Sequence, residues 1–135
     1  MAIRNVSVLI LYNERKEVLL QHRAKDAKRL PDHWGFFGGG IETGETPKQA
    51  LARELVEELD YKIREPNLIY TQEFTWEGDK NTKYVFIEKC NIDEPLVQHE
   101  GQEMRWCNFE DLRDLLIVDH DRKVLSKART YLKKI

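Results

Sequence analysis

The chain is predicted to fold as an α/β protein, a layered α/β/α sandwich around a mixed β-sheet. Two observations predict it. Short strand-like apolar runs lie on both sides of one well-signalled amphipathic helix, and a second amphipathic helix closes the sequence. Strands with helices before and after them in this order cover both faces of a sheet. With 135 residues and 41% hydrophobic content, the whole chain, 1–135, suits a single domain with one core.

The elements follow in order. Residues 6–12, Val-Ser-Val-Leu-Ile-Leu-Tyr, are apolar enough for a buried strand, and Asn13-Glu14-Arg15-Lys16 turns the chain into a second strand over 17–21. A polar, basic loop, 23–33, leads to a short strand at 34–37. A helix then starts at Pro47. Thr46 is a good N-cap, proline suits the first helical position, and Gln49 completes a T-x-x-Q capping box. Residues 68–76 and 82–90 partly alternate polar and apolar positions, as a hairpin around 77–81 would. Residues 98–103 form a loop, 104–107 a short strand, and 109–116 and 119–134 two helices. In the last, Val124, Leu125, Ala128 and Leu132 face the core. Arg122, Lys123, Lys127, Arg129, Lys133 and Lys134 face solvent.

Composition excludes several classes. Net charge is −2 and the pI about 6.1, so no polyanion-binding surface and no stable nucleic-acid binding are expected. The apolar runs are far too short to span a membrane. The start, Met1-Ala2-Ile3-Arg4-Asn5, lacks the apolar core of a signal peptide, and a cytoplasmic protein is expected. Cys90 and Cys107 fit neither a disulfide framework nor a zinc spacing and read as buried thiols. A monomer or a homodimer is expected; no interface stripe stands out.

Chemistry concentrates in residues 39–61. A glycine-rich loop runs directly into a helix carrying Arg53-Glu54 and Glu57-Glu58. Glycine lets backbone approach a ligand closely. At about 100° per residue, Leu51, Leu55, Leu59, Ala52 and Val56 share one side of the helix, and Glu54, Glu57 and Glu58 share a separate arc. Like charges at these spacings repel. No lysine lies on that arc, and Arg53 points elsewhere, placed to orient the cluster or the loop. Clustered carboxylates are hard oxygen ligands of the kind Mg²⁺ takes, and Mg²⁺ binds phosphates. Phosphate chemistry is thus the leading hypothesis from residue types alone.

The stretch also resembles the Nudix box, G-x5-E-x7-R-E-U-x-E-E-x-G-U, with U a bulky aliphatic residue. Gly39, Glu45, Arg53, Glu54, Leu55, Glu57 and Glu58 stand at its positions, while Asp60 replaces the final glycine and Tyr61 the last aliphatic residue. Asp60 falls just past the helix, where aspartate tolerates a left-handed turn better than most residues. Arg23-Ala24-Lys25-Asp26-Ala27, Trp34-Gly35-Phe36, Glu45-Thr46-Pro47 and Glu100-Gly101-Gln102 followed by Trp106 look like the MutT branch of that family. Phe37 departs from it, standing where a proline is usual.

The resemblance implies a Nudix-type sandwich and Mg²⁺-dependent hydrolysis, with Mn²⁺ a possible substitute, of a small-molecule nucleotide. For the MutT branch this means a nucleoside triphosphate cleaved to a monophosphate and pyrophosphate. It implies Glu57 and Glu58 as principal metal ligands, with Glu54, the Gly38 carbonyl and Glu100 as further ones. It makes Glu100, or its neighbour Glu103, the late acidic residue that binds metal or activates water. Glu45 would brace the loop, Arg53 hold the cluster by charge-assisted hydrogen bonds, and Arg23 contact a substrate phosphate. Phe36 would line the nucleoside pocket, with Trp34, Phe74 and Trp76 as stacking candidates. Asp121, or Asp119, stands nearest the asparagine that reads the oxidised purine in MutT. Aspartate accepts but does not donate unless protonated, so the purine preference does not transfer. His22, His33, His99 and His120 show no ligand spacing and read as loop or surface residues, His33 and His120 being the two within possible reach of substrate.

Three readings stay open. One is the MutT-like triphosphate reaction. Another is the same chemistry on ADP-ribose, a nucleotide sugar or a dinucleoside polyphosphate. The third is a Nudix-like module that binds a nucleotide without cleaving it. Relatives cleaving ADP-ribose often carry a proline downstream of the box, and those cleaving dinucleoside polyphosphates a tyrosine. Trp76-Glu77-Gly78-Asp79 has neither. A pure sensor would not need the full acidic arc.

Overall fold

The computed structural model describes residues 5–135, the side chain of Trp76 excepted. The expectations about the chain start at residues 1–4 and about Trp76 as a stacking partner lie outside that description.

β1 (Val6–Tyr12) is the axis of the fold. It pairs antiparallel with β2 (Val18–His22) and with β4 (Phe37–Gly40), and parallel with β6 (Asp79–Lys89). β5 (Asn67–Trp76) forms a hairpin with β6, β3 (Trp34–Gly35) pairs with β2, and β7 (Glu103–Cys107) adds to β2. Among the described residues this gives one seven-stranded mixed sheet.

Alternation along β1 sends neighbouring side chains to opposite faces. Leu9 and Leu11 pack with Leu51, Leu55 and Leu59 of α1 (Pro47–Leu59). Ile10 packs with Val124, Leu125, Ala128 and Leu132 of α2 (Asp119–Lys133). One helix therefore covers each face, as the α/β/α expectation requires. Cys90 and Cys107 are free and buried. No helix among the described residues is long and apolar enough to cross a membrane.

The start of α1 follows its local signals. Thr46 Oγ1 accepts from the Gln49 N–H at 3.1 Å, and Gln49 Oε1 accepts from the Thr46 N–H at 2.9 Å. Asp60 ends the helix in the left-handed conformation, φ 54°.

Several expectations are corrected. The segment 34–37 is two strands: the chain leaves β2 after Gly35 and joins β1 at Phe37, and the Phe36 carbonyl between them accepts from Gln21 Nε2 at 3.1 Å. The hairpin turn is only Glu77-Gly78, both left-handed at φ 50° and 84°, so β6 begins at Asp79. The helix expected over 109–116 is a single 3₁₀ turn, Asp111–Asp114. The Arg122 guanidinium donates to the Leu112 and Leu115 carbonyls at 3.2 and 2.6 Å, so Arg122 is a half-buried clamp rather than a solvated residue. Val56, assigned to the apolar side of α1, is 51% exposed, whereas Glu58 is buried at 8%. The stripe is centred on Leu55, which puts Glu58 next to Leu51 at its edge and leaves Val56 beyond the other edge.

Candidate active site

The glycines of β4 bring backbone against its neighbours on both sides. Gly38 has φ 135°, and a Cβ there would lie 2.1 Å from the Ser7 carbonyl oxygen of β1. A Cβ on Gly39 would lie 2.6 Å from Glu54 Cδ. β4 thus presses its backbone directly onto the acidic side of α1.

Arg53 organises that side. Its Nε and Nη2 each donate to Glu45, both at 2.9 Å, its Nη1 donates to Glu54 Oε1 at 2.9 Å, and Nη2 reaches the Gly40 carbonyl at 3.0 Å. One planar fork therefore ties the loop, the strand and the helix together. Those hydrogen bonds from Arg53, helped by the Glu42 N–H, hold the Glu45 carboxyl down at about 2.

Glu58 reaches under β4. Its Oε1 accepts from the Gly38 N–H at 2.8 Å. Burial is the main cause that pushes its carboxyl up to about 8, with Glu54 and Glu100 adding to the rise. Glu57, in contrast, has a side chain 59% exposed. Glu54, Glu58 and Glu100 line one cleft beside Gly38, Gly39 and Gly40. Glu103 stands apart at the start of β7, paired with Arg105 at 3.1 Å.

A second cleft, about 290 Å³, opens on the other side of the same strand. Val8, Leu30, Phe36 and Phe74 give it apolar walls, and Lys83 and Asp121 line it as an ion pair at 2.5 Å. Both are buried, at 4% and 7% exposure. Burial pulls the Lys83 ammonium down. It opposes ionisation of Asp121 too, but the hydrogen bonds from His120 and Lys83 keep that carboxyl below its ordinary range. His120 Nδ1 lies 2.8 Å from Lys83 Nζ, and its ring stacks on Phe74 with centroids 5.0 Å apart.

The two clefts share Arg23, Gly38, Gly39 and Gly40. Of the other residues given site roles by the sequence, Phe36 and Asp121 line the apolar cleft and Glu54, Glu58 and Glu100 the acidic one. Arg53 and Glu45 act on Glu54 and the loop from behind, and Glu57 points outward. Lys83 escaped the sequence reading. Lys83 falls in phase with Val85 and Ile87 on β6, and a lysine at an inward position of a strand was the available signal. His120, one of the two histidines placed within reach of substrate, lines the apolar cleft and belongs to the Lys83–Asp121 set. His22, expected in a loop or at the surface, belongs to β2 and stacks on Trp34 with centroids 4.6 Å apart.

The donor set suits a divalent cation: hard carboxylate oxygens beside backbone carbonyls, one carboxylate destabilised in its ionised form by burial and by two acidic neighbours. Among the described residues no three His, Cys, Asp or Glu side chains are already gathered around one point. Glu54 and Glu58 are each tied to a protein donor at under 3 Å. Glu57 is exposed, and its ion pair with Arg53 is a long 3.8 Å.

The NUDIX domain family matches residues 1–128 of this sequence. The chain belongs to the Nudix family. An 8-oxo-dGTP diphosphatase of Escherichia coli (strain K12) is 33% identical over 107 residues, which cover 79% of this chain and 81% of that protein. An RNA pyrophosphohydrolase of a Nitratiruptor species is 28% identical, with 96% and 92% covered. Among solved structures, a MutT protein from Methanosarcina mazei Go1 superposes with a TM-score of 0.84 at 21% identity, over 97% of this chain and 96% of that one. A C. elegans Ap4A hydrolase gives 0.80 at 23%, over 98% and 100%. These two likenesses concern the fold. As a Nudix hydrolase, the chain acts on nucleoside diphosphate-linked substrates, and divalent metals are general in the family.

Proposed function

We propose that this Nudix hydrolase is a Mg²⁺-dependent, MutT-like pyrophosphohydrolase that cleaves a (d)NTP to a nucleoside monophosphate and pyrophosphate. One observation carries the reading: a single glycine strand is the common wall of an apolar cleft and a carboxylate cleft. A nucleoside in the first places its phosphates over Gly38–Gly40 and into the second.

Glu57 and Glu58 would be the principal ligands of the ion, with Glu54, Glu100 and the Gly38 carbonyl completing the set; Mn²⁺ fits the same oxygens. Bound there, the ion would neutralise phosphate charge and polarise the attacked phosphorus. The rest falls to the chain. Arg23, shared by both clefts, holds a phosphate at the junction. Arg53 fixes Glu54 and, through Glu45, the loop. Phe36 and Phe74 hold the base. A water oxygen bonds to phosphorus, the phosphorus–oxygen bond to pyrophosphate breaks, and Glu54 or Glu100 accepts the water's proton.

The relatives support hydrolysis, and their names span more than one substrate. The test is pyrophosphate and phosphate release with Mg²⁺ over ordinary and oxidised dNTPs, 5′-triphosphate RNA, ADP-ribose, nucleotide sugars and dinucleoside polyphosphates. Strong preference for a dNTP that vanishes with chelator is expected. Preference for another substrate, or chelator-resistant turnover, overturns the proposal.

A further inference from the structure

Two loops frame the site, and they meet at one side chain. The first, 23–33, leaves β2 at His22 and returns at β3. It carries Arg23, and Arg29 and Leu30, which line the apolar cleft. Its own backbone bonds are few: Arg23 N–H to His33 O at 2.8 Å, Ala27 N–H to Ala24 O at 3.2 Å, Asp32 N–H to Ala24 O at 3.1 Å and His33 N–H to Leu30 O at 3.2 Å. Leu30 and Asp32 both sit at positive φ, 47° and 63°, a conformation side chains adopt only when their surroundings hold it.

The second loop carries Glu100. At its start the Val97 and His99 N–H groups donate to Leu59 O and Glu58 O, at 3.1 and 3.0 Å, capping the end of α1. At its end Gly101 crosses so close to β2 that a Cβ would lie 2.8 Å from His22 O. Gln102 then makes the junction. Its backbone N–H donates to His22 O at 2.7 Å, and its Nε2 donates to Arg23 O at 2.8 Å and to Asp32 Oδ1 at 3.0 Å. Both amide hydrogens are spent on the other loop. Asp32 Oδ1 also lies 2.9 Å from His22 Nε2, and His22 is fixed by its stack on Trp34, over which Arg105 lies at 4.7 Å.

We propose that Gln102 is a positioning residue that locks the Glu100 loop to the Arg23–Asp32 loop, so that the carboxylate cleft and the nucleoside cleft move as one body. For catalysis this rests on the function proposed above; the mechanical coupling does not. A neutral amide suits the junction: its two short contacts, the Arg23 carbonyl and Asp32 Oδ1, are acceptors, and Gln102 has two hydrogens to give. A carboxylate of the same size would have no hydrogen for the Arg23 and Asp32 oxygens, and the remaining group beside it, His22 Nε2, stands 3.4 Å from Gln102 Nε2 and is already engaged with Asp32.

That isostere supplies the test. In Gln102→Glu, amide hydrogen exchange of Arg23, Asp32 and His33 in one loop and of Val97, His99 and residue 102 in the other should rise together, by about fivefold to thirtyfold, as loss of one or two net hydrogen bonds gives. In Gln102→Glu/Asp32→Asn the donor and acceptor trade places: the amide introduced at position 32 donates to the carboxylate introduced at position 102. Exchange in both loops should then recover in part, because the bond between positions 32 and 102 is remade while the Arg23 carbonyl still lacks its donor. A rise confined to 97–102, no rise, or no recovery in the double variant overturns the coupling. On a cleaved nucleotide, Gln102→Glu should lower kcat about tenfold, with the double variant recovering part of it. Coupled exchange in a protein that cleaves nothing on the substrate panel leaves the lock standing and removes the proposed function.

Discussion

Arg53 and Glu45 meet fork to fork, Nε to Oε2 and Nη2 to Oε1, while the same guanidinium holds Glu54. Lysine offers one point charge and cannot reproduce that plane. Arg53→Lys should therefore lose about 100-fold in kcat/KM, measured on the best substrate of the panel, while circular dichroism stays native.

The same pair sets an acid limit. The Glu45 carboxyl is held at about 2 against an ordinary 4.5. A depressed folded-state value stabilises the fold above the unfolded-state pKa, and that contribution is lost as pH falls from about 4.5 through about 2. Thermal melts of wild type and Glu45→Gln should differ at pH 7 and converge across that window. A constant difference down to about pH 2 would contradict the assignment.

Adjacent glycines should fail in different ways. At Gly38 a methyl group meets the backbone of β1, which cannot retreat, so Gly38→Ala should lower the melting temperature by several degrees. At Gly39 it meets the end of the Glu54 side chain. Gly39→Ala should fold normally and lose turnover by about tenfold or more, because the carboxylate is pushed aside.

The acidic residues should likewise part. Glu57→Gln alters an exposed side chain, so its melting temperature should stay put while turnover drops by orders of magnitude. Glu58→Gln keeps an acceptor for the Gly38 N–H and replaces a buried carboxyl whose ionisation burial already opposes. Its metal-free form should melt no lower than wild type, with activity lost as well. Full activity in either variant would sink its assignment as a ligand.

Lys83 and Asp121 are a buried pair, and removing one member strands the other. Lys83→Met should destabilise by about 3–5 kcal/mol in urea titration, and Lys83→Met/Asp121→Asn should recover most of that loss. Additive losses in the double variant would mean that the two do not act together.

What could be read before the structure was local. The Thr46–Gln49 cap and the left-handed Asp60 each depend on residues a few positions apart, and both are seen as expected. What could not be read depends on partners far along the chain. Lys83 reaches a cleft only because β6 lies beside β1 and α2 docks its first turn there. Residues 34–37 look like one strand until Gln21 and β1 compete for them. The stretch 109–116 has helical spacing, yet the Arg122 guanidinium takes two of its carbonyls. Val56 shows the limit of a helical wheel, which locates an apolar stripe but not the width of the sheet that covers it.

The sheet also fixes the order in which the molecule can come into being. β5 and β6 need only the Glu77-Gly78 turn to find each other, whereas β1 must wait for β6, and β2 for β7, before either gains its outer neighbour. Loop closure over such separations is slow, so the hairpin is expected to close first and β7 to join among the last. Glu100 and Gln102 immediately precede β7. A chain still emerging from the ribosome can thus hold its entire glycine loop and acidic helix and yet have no finished site until the final third has been made.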